Sequence, residues 1–356
     1  LLRYNSPRGE AEASPILRLE RPVKRWQFWL GIAISAIFLF IALQDLKLEE
    51  VWGYLRSANY LWLIPGIAIY FVAVVVRTWR WGYLLRPLKR IPVKRLFPVV
   101  VIGYMGNNIF PFRIGELLRA YVLKRDEDVS ISSSLATIVV ERIFDGLTML
   151  LFAVIALLTA PFLSDVLRLA VLLGSLVFLG ALIVFLFLAA RPATAARLYN
   201  PLINHLVPHR FRDKLRGFIE RFMVGLAALR NFKHVLLIFV TSIGIWLLET
   251  VMYWFVMQAF SLQLSFFTLM LMNGVVNLVT TLPAAPGGIG TFEASGIWTL
   301  EAFGLIKSRA TAYALALHAT LWLPVTLLGF YYMIREGLRW SDLTKAAHLR
   351  ESETAT

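Results

Sequence analysis

Ionisable side chains set inside apolar sequence are the first candidates for chemistry in this chain. Glu141, Arg142 and Asp145 lie well within the apolar stretch 131–159. An ionised group near the centre of a bilayer costs from about 2.5 to well over 10 kcal/mol, so such groups normally face an interior path or a partner. Glu141 and Asp145 fall at i and i+4 on one helix face. Two carboxylates there repel unless a cation sits between them or one keeps its proton. Arg113 is the cation the sequence offers. A purely structural ion-pair knot competes with substrate or proton handling.

Two further groups of residues sit beside chain breakers. Asn107 and Asn108 precede Pro111, Arg113, Gly115, Glu116 and Arg119. A broken helix leaves backbone groups that Arg and Glu can satisfy, or that can join them in holding an ionic ligand. Arg113, Glu116 and Arg119 are three apart, so the carboxylate can pair with either guanidinium. One reading is a self-satisfied cluster at the membrane surface. The other is an anionic headgroup site using arginine's planar fork on phosphate. The second group is Pro283, Pro286, Gly287, Gly288 and Gly290, followed by Glu293 and, later, His318. Two prolines and three glycines let the backbone turn tightly and approach a ligand, unless the hairpin is purely structural. The helix that follows would offer an anion its free N–H groups. Glu293 either caps that helix or titrates. His318 is alone in its helix, and Glu249 has no partner nameable from sequence; Trp298 and Trp322 read as packing or interfacial residues.

Other chemistry is absent. The chain has no cysteine, and no nucleophile–base arrangement or metal-ligand spacing occurs, so neither catalytic residues, a metal nor a cofactor is expected. The net charge of +14 clusters between apolar segments, which argues for anionic inner-leaflet lipid and against nucleic acid.

The elements that position these residues follow from hydropathy. Of 356 residues 58% are hydrophobic and 16% charged, which places the chain among integral membrane proteins. Crossing a bilayer takes about 20 apolar residues. Six spans meet this at about 27–43, 60–86, 131–159, 165–190, 234–260 and 309–334. Trp62, Trp79 and Trp81 sit near the ends of the second, as an aromatic belt would. Between spans, 96–124 and 264–303 are too short and too broken to cross, and read as re-entrant units. The expected fold is therefore all-α and integral to the membrane, with six full spans, two re-entrant units and an inverted-topology repeat. Its parts are a cytoplasmic tail (1–26), a first membrane repeat (27–190), a basic amphipathic linker (191–233), a second repeat (234–336) and a cytoplasmic tail (337–356). No cleavage site follows the first apolar run, so a signal peptide is not expected. The linker carries nine basic residues against Asp213 and Glu220, and its 210–230 part reads as a helix on the inner leaflet.

The repeat has a numerical trace. Glu116 and Glu141 are 25 residues apart, as are Glu293 and His318. In each half Asn comes first (Asn107 and Asn108; Asn277), then Pro and Gly, then Glu. Inverted repeats with broken helices are a transporter device.

The run Gly103–Arg119, the Glu141-Arg142-xx-Asp145 helix and Pro283-xx-Pro286-Gly287-Gly288-x-Gly290-xx-Glu293 resemble the lysylphosphatidylglycerol synthase transmembrane-region family, over about 27–336. That family is the flippase-like membrane part of multiple-peptide-resistance proteins. It also occurs as stand-alone proteins, some labelled dolichol-phosphate glycosyltransferase-like. Fewer than twenty residues follow Arg339, so no synthase domain is expected.

Together the residues and the resemblance imply a lipid flippase of a bacterial or archaeal cytoplasmic membrane, both termini inside. Its cargo would be an anionic or modified phospholipid or a polyprenyl-phosphate lipid. Its site would draw on Asn107, Asn108, Arg113, Glu116, Arg119, Glu141, Arg142, Asp145, Pro286, Gly287, Gly288, Gly290, Glu293 and His318. A membrane transferase acting on a lipid, or a regulatory partner, are the alternatives, and a homo-oligomer is compatible with each.

Overall fold

Apolar runs of helical length become helices throughout the computed structural model, which describes residues 25–44, 46–110, 113–159, 165–281 and 285–338. Its thirteen α-helices are α1 (Arg25–Leu43), α2 (Leu48–Ser57), α3 (Leu63–Leu85), α4 (Val93–Ile109), α5 (Ile114–Glu127), α6 (Ile131–Thr159) and α7 (Asp165–Ala190), then α8 (Pro192–Leu206), α9 (His209–Gly225), α10 (Phe232–Ala259), α11 (Phe266–Val279), α12 (Thr291–Ala302) and α13 (Lys307–Arg335). No strand occurs among the described residues.

Among the described residues four segments are long and apolar enough to cross a membrane: Tyr60–Leu85, Leu172–Ala190, Phe232–Ala259 and Lys307–Arg335. A fifth candidate is the pair Gly31–Leu43 and Leu48–Ser57, bent by 89°. The protein is thus an all-helical membrane protein. Its broken units are short for a physical reason. With 17 residues α4 reaches about 25 Å, and with 14 residues α11 reaches about 21 Å, both less than a 30 Å hydrocarbon core. Each turns back instead, α4 into α5 and α11 into α12. Of the breakers read from sequence, Pro111 and Pro283 lie outside the described residues. The basic linker folds as two helices, α8 and α9, followed by a 3₁₀ turn at Leu226–Arg230 that packs against α6 and α7.

Packing runs in matched pairs. Helix α4 lies along α5 and α13, while α11 lies along α12 and α6. Helices α3 and α10, which lead into these units, pack on each other. Each broken unit therefore also leans on a long helix far away in sequence, α4 on α13 and α11 on α6. Glycine permits the tightest of these contacts. A Cβ on Gly115 would stand 1.9 Å from the Gly103 carbonyl oxygen, so α4 and α5 touch backbone to backbone.

Candidate functional site

The long helix α3 supplies the centre of the site. Arg80, 1% exposed, reaches from it to two carboxylates on α6. Its Nη1 donates to Asp145 Oδ1 at 2.7 Å and to Ser242 Oγ of α10 at 2.5 Å, and its Nη2 lies 3.5 Å from Glu141 Oε1. This corrects the assignment of Arg113 as the cation between Glu141 and Asp145. Arg80 comes from 61 and 65 residues upstream, a pairing that no local spacing records. It also corrects the placement of Trp81 in an interfacial belt. That indole is fully buried, donates to Thr137 Oγ1 at 3.0 Å, and carries the Arg119 guanidinium over its face at 4.1 Å. Trp79 and Trp62 do stay exposed.

The remaining charges sort themselves around Arg80. Arg119 bonds Glu141 Oε2 at 2.9 Å rather than Glu116. Arg142 approaches Asp145 Oδ2 at 3.1 Å and Glu116 Oε1 at 3.7 Å. Arg113 adopts a left-handed conformation at the head of α5 (φ 53°) and stands 3.9 Å from Glu116. Glu249 receives Arg77 at 2.6 Å, a second pair the sequence did not reveal, and Arg77 also donates to the Tyr104 hydroxyl at 2.7 Å. Five arginines (77, 80, 113, 119, 142) thus meet four carboxylates (Glu116, Glu141, Asp145, Glu249). With all ionised, one positive charge is left over. It is least neutralised at Arg113, 36% exposed, whose pair to Glu116 at 3.9 Å is the longest of the set; Arg142, 31% exposed, shares that Glu116 at 3.7 Å while holding Asp145 at 3.1 Å.

The second broken unit faces this cluster. Its turn holds Gly287 at φ 69° and Gly290 at φ 90°, where a Cβ would lie 2.6 Å from Trp322 Nε1 and 2.6 Å from the Ser35 carbonyl respectively. Only glycine takes both the angle and the space. Glu293 accepts the Gly290 N–H at 2.7 Å, so it does cap α12, and it also meets His318 Nδ1 at 2.5 Å. His318 Nε2 lies 3.1 Å from the Gly287 carbonyl, and the ring stacks on Phe292 at 4.2 Å. The 25-residue spacing therefore joins Glu293 to His318 directly. In the first half the same spacing leaves Glu116 and Glu141 bound to different arginines.

Between the two units lies a cavity of about 360 Å³. Asn107, Asn108, Arg113, Arg142, Gly287, Gly288 and His318 line it, with Arg77, Tyr70, Tyr104, Glu249, Asn277 and Trp322. Glu116, Arg119, Glu141, Asp145, Pro286, Gly290 and Glu293 stand behind that lining. Asn108 spends its amide on Thr326 at 2.7 Å and ties α4 to α13, whereas Asn107 Oδ1 and Trp322 Nε1 are buried without a partner among the described residues. At the far end of α5, Glu127 is buried, which alone would raise its pKa. Lys89 at 2.7 Å and Arg95 at 3.4 Å outweigh that and hold it below the ordinary carboxylate range. No cluster of three metal-ligating side chains occurs among the described residues.

Residues 28–329 match the family described as the lysylphosphatidylglycerol synthase TM region. The chain belongs to this family. Among its relatives is a UPF0104 membrane protein of Methanothermobacter thermautotrophicus, 29% identical over 86% of this chain and 92% of the relative. A UPF0104 membrane protein of Methanocaldococcus jannaschii is 22% identical over 85% and 93%. The glycosyltransferase AglD of Haloferax volcanii is 24% identical over 87% of this chain but only 54% of its own length. These relatives are archaeal, and two are membrane proteins by name. The matched range includes the two broken units and α6, which line the cavity together with α3, α10 and α13.

Proposed function

We propose that this family member moves an anionic lipid between leaflets by alternating access, its headgroup in the cavity and its acyl chains in the bilayer. One observation carries the reading: a cavity walled by surplus arginine charge lies where two reciprocally packed broken-helix units meet. Arg113 and Arg142 hold the phosphate. Arg80, Arg119, Glu141 and Asp145 fix Arg142 and α5 from behind. Gly287 and Gly288 bring the opposite backbone close, and Asn107 and Trp322 offer an acceptor and a donor to the headgroup. The matched packing of α3–α6 and α10–α13 supports an inverted repeat of six spans and two re-entrant units. Basic loops support a cytoplasmic-membrane location with both termini inside.

The test is leaflet exchange of a fluorescent phosphatidylglycerol in vesicles holding the purified chain. Arg113→Ala and Arg142→Ala should each slow exchange at least tenfold, and wild-type rates in both would refute the site. The AglD relationship favours a second reading, a membrane part serving glycosyl transfer to a lipid. It requires product formation by the purified protein with a sugar donor and a polyprenyl phosphate.

A further inference from the structure

An imidazole held between two acceptors needs two protons. His318 is so placed: Nδ1 faces Glu293 Oε1 at 2.5 Å and Nε2 faces the Gly287 carbonyl at 3.1 Å. A carbonyl oxygen only accepts, so Nε2 carries N–H there. The short contact to Glu293 then needs its own proton, on Nδ1 or on the carboxyl. Take that proton away and one contact becomes lone pair against lone pair. Glu293 is anchored by the Gly290 N–H, so the Glu293–His318 contact is the firmer one. The longer bond to Gly287 is the one to yield. Gly287 lies in the glycine turn, against Trp322 and the Asn108 backbone, on the wall of the cavity.

We propose that His318 and Glu293 form a proton-binding site whose proton is a second ligand of transport, held while the Gly287 turn is docked and released to solvent in the cavity when it opens. The coupling rests on the transport reading above; the proton site does not. Other ionisable groups on the cavity wall are Arg77, Tyr70, Tyr104, Arg113, Arg142 and Glu249. Helix α11 has none. On the other helices packed against the pair, α1 carries only Arg25, α2 carries Glu49, Glu50 and Arg56, and α4 carries Lys94 and Arg95 at its opposite end. Arg80 and Tyr83 on α3, Lys233, His234 and Tyr253 on α10, Glu301 on α12, Lys307, Arg309, Tyr313, Tyr331, Tyr332 and Arg335 on α13, and Tyr54 on α2 complete the set.

Hydrogen–deuterium exchange of the turn amides in the full chain, normalised for intrinsic rates, reads the proton site without any lipid cargo. The Gly288 and Gly290 amides, bonded to the Ala285 carbonyl and to Glu293, are the reporters. Their protection should fall about tenfold once rising pH removes the pair's second proton, the scale of one hydrogen bond. His318→Gln, whose amide donates to Gly287 at any pH, should flatten that profile with the turn protected. Glu293→Gln, whose carbonyl can keep the Gly290 N–H while its amide donates to Nδ1 of a neutral ring, should flatten the profile as well. A flat wild-type profile, or a wild-type profile in His318→Gln, overturns the proton site. In vesicles carrying fluorescent phosphatidylglycerol, a pH gradient should change wild-type exchange and leave His318→Gln unmoved. Exchange indifferent to the gradient overturns the coupling alone, while no exchange at all overturns the transport reading and leaves the amide result standing.

Discussion

Replacing Arg80 by Gln separates the charges that hold the bundle from those offered to a ligand. The wild-type guanidinium is 1% exposed and meets Asp145 at 2.7 Å, Ser242 at 2.5 Å and Glu141 at 3.5 Å, joining α3, α6 and α10. Glutamine keeps a donor but removes the charge, leaving Asp145 with Arg142 at 3.1 Å and Trp246 Nε1 at 3.1 Å. Breaking a buried pair from one side costs about 3–5 kcal/mol. At 1.4 kcal/mol per decade this shifts the unfolding equilibrium by roughly two to four decades. Arg113→Gln should cost about 1 kcal/mol or less, since its pair is long and part-exposed. Chemical unfolding in detergent, followed by helical circular dichroism, measures both. Combining Arg80→Gln with Asp145→Asn should recover about 1–3 kcal/mol of coupling. Equal losses for the two arginine variants, or strict additivity with Asp145→Asn, would refute the division into holding and binding arginines.

Gly115→Ala forces a Cβ to within 1.9 Å of the Gly103 oxygen and should destabilise by about 1–3 kcal/mol, whereas Gly244→Ala, with nothing within 4 Å, should be neutral or stabilising in the same melt. Trp322→Phe keeps the ring but loses the unpartnered indole N–H at the cavity; leaflet exchange should slow while the unfolding midpoint stays put. Glu127 has its folded pKa below the unfolded one, so its ion pairs stabilise fully above the unfolded value and lose that contribution as pH falls through the folded value. Thermal stability should therefore drop in that acidic window in the wild type and less in Glu127→Gln.

Much of this was local and so was readable along the chain. Helical spans follow from runs of apolar residues, and the two broken units follow from short apolar length beside Pro and Gly. The link between Glu293 and the head of α12 is a three-residue matter. What the sequence could not determine is who neutralises whom. Arg77 and Arg80 lie in a stretch that reads as the end of a span, yet they reach carboxylates 172 and 65 residues away. That choice depends on α3 packing against α6 and α10 in a medium where an unpaired charge is too costly to leave. The same packing, α4 on α13 and α11 on α6, opened one cavity between segments more than 150 residues apart and brought His318 to the Gly287 carbonyl.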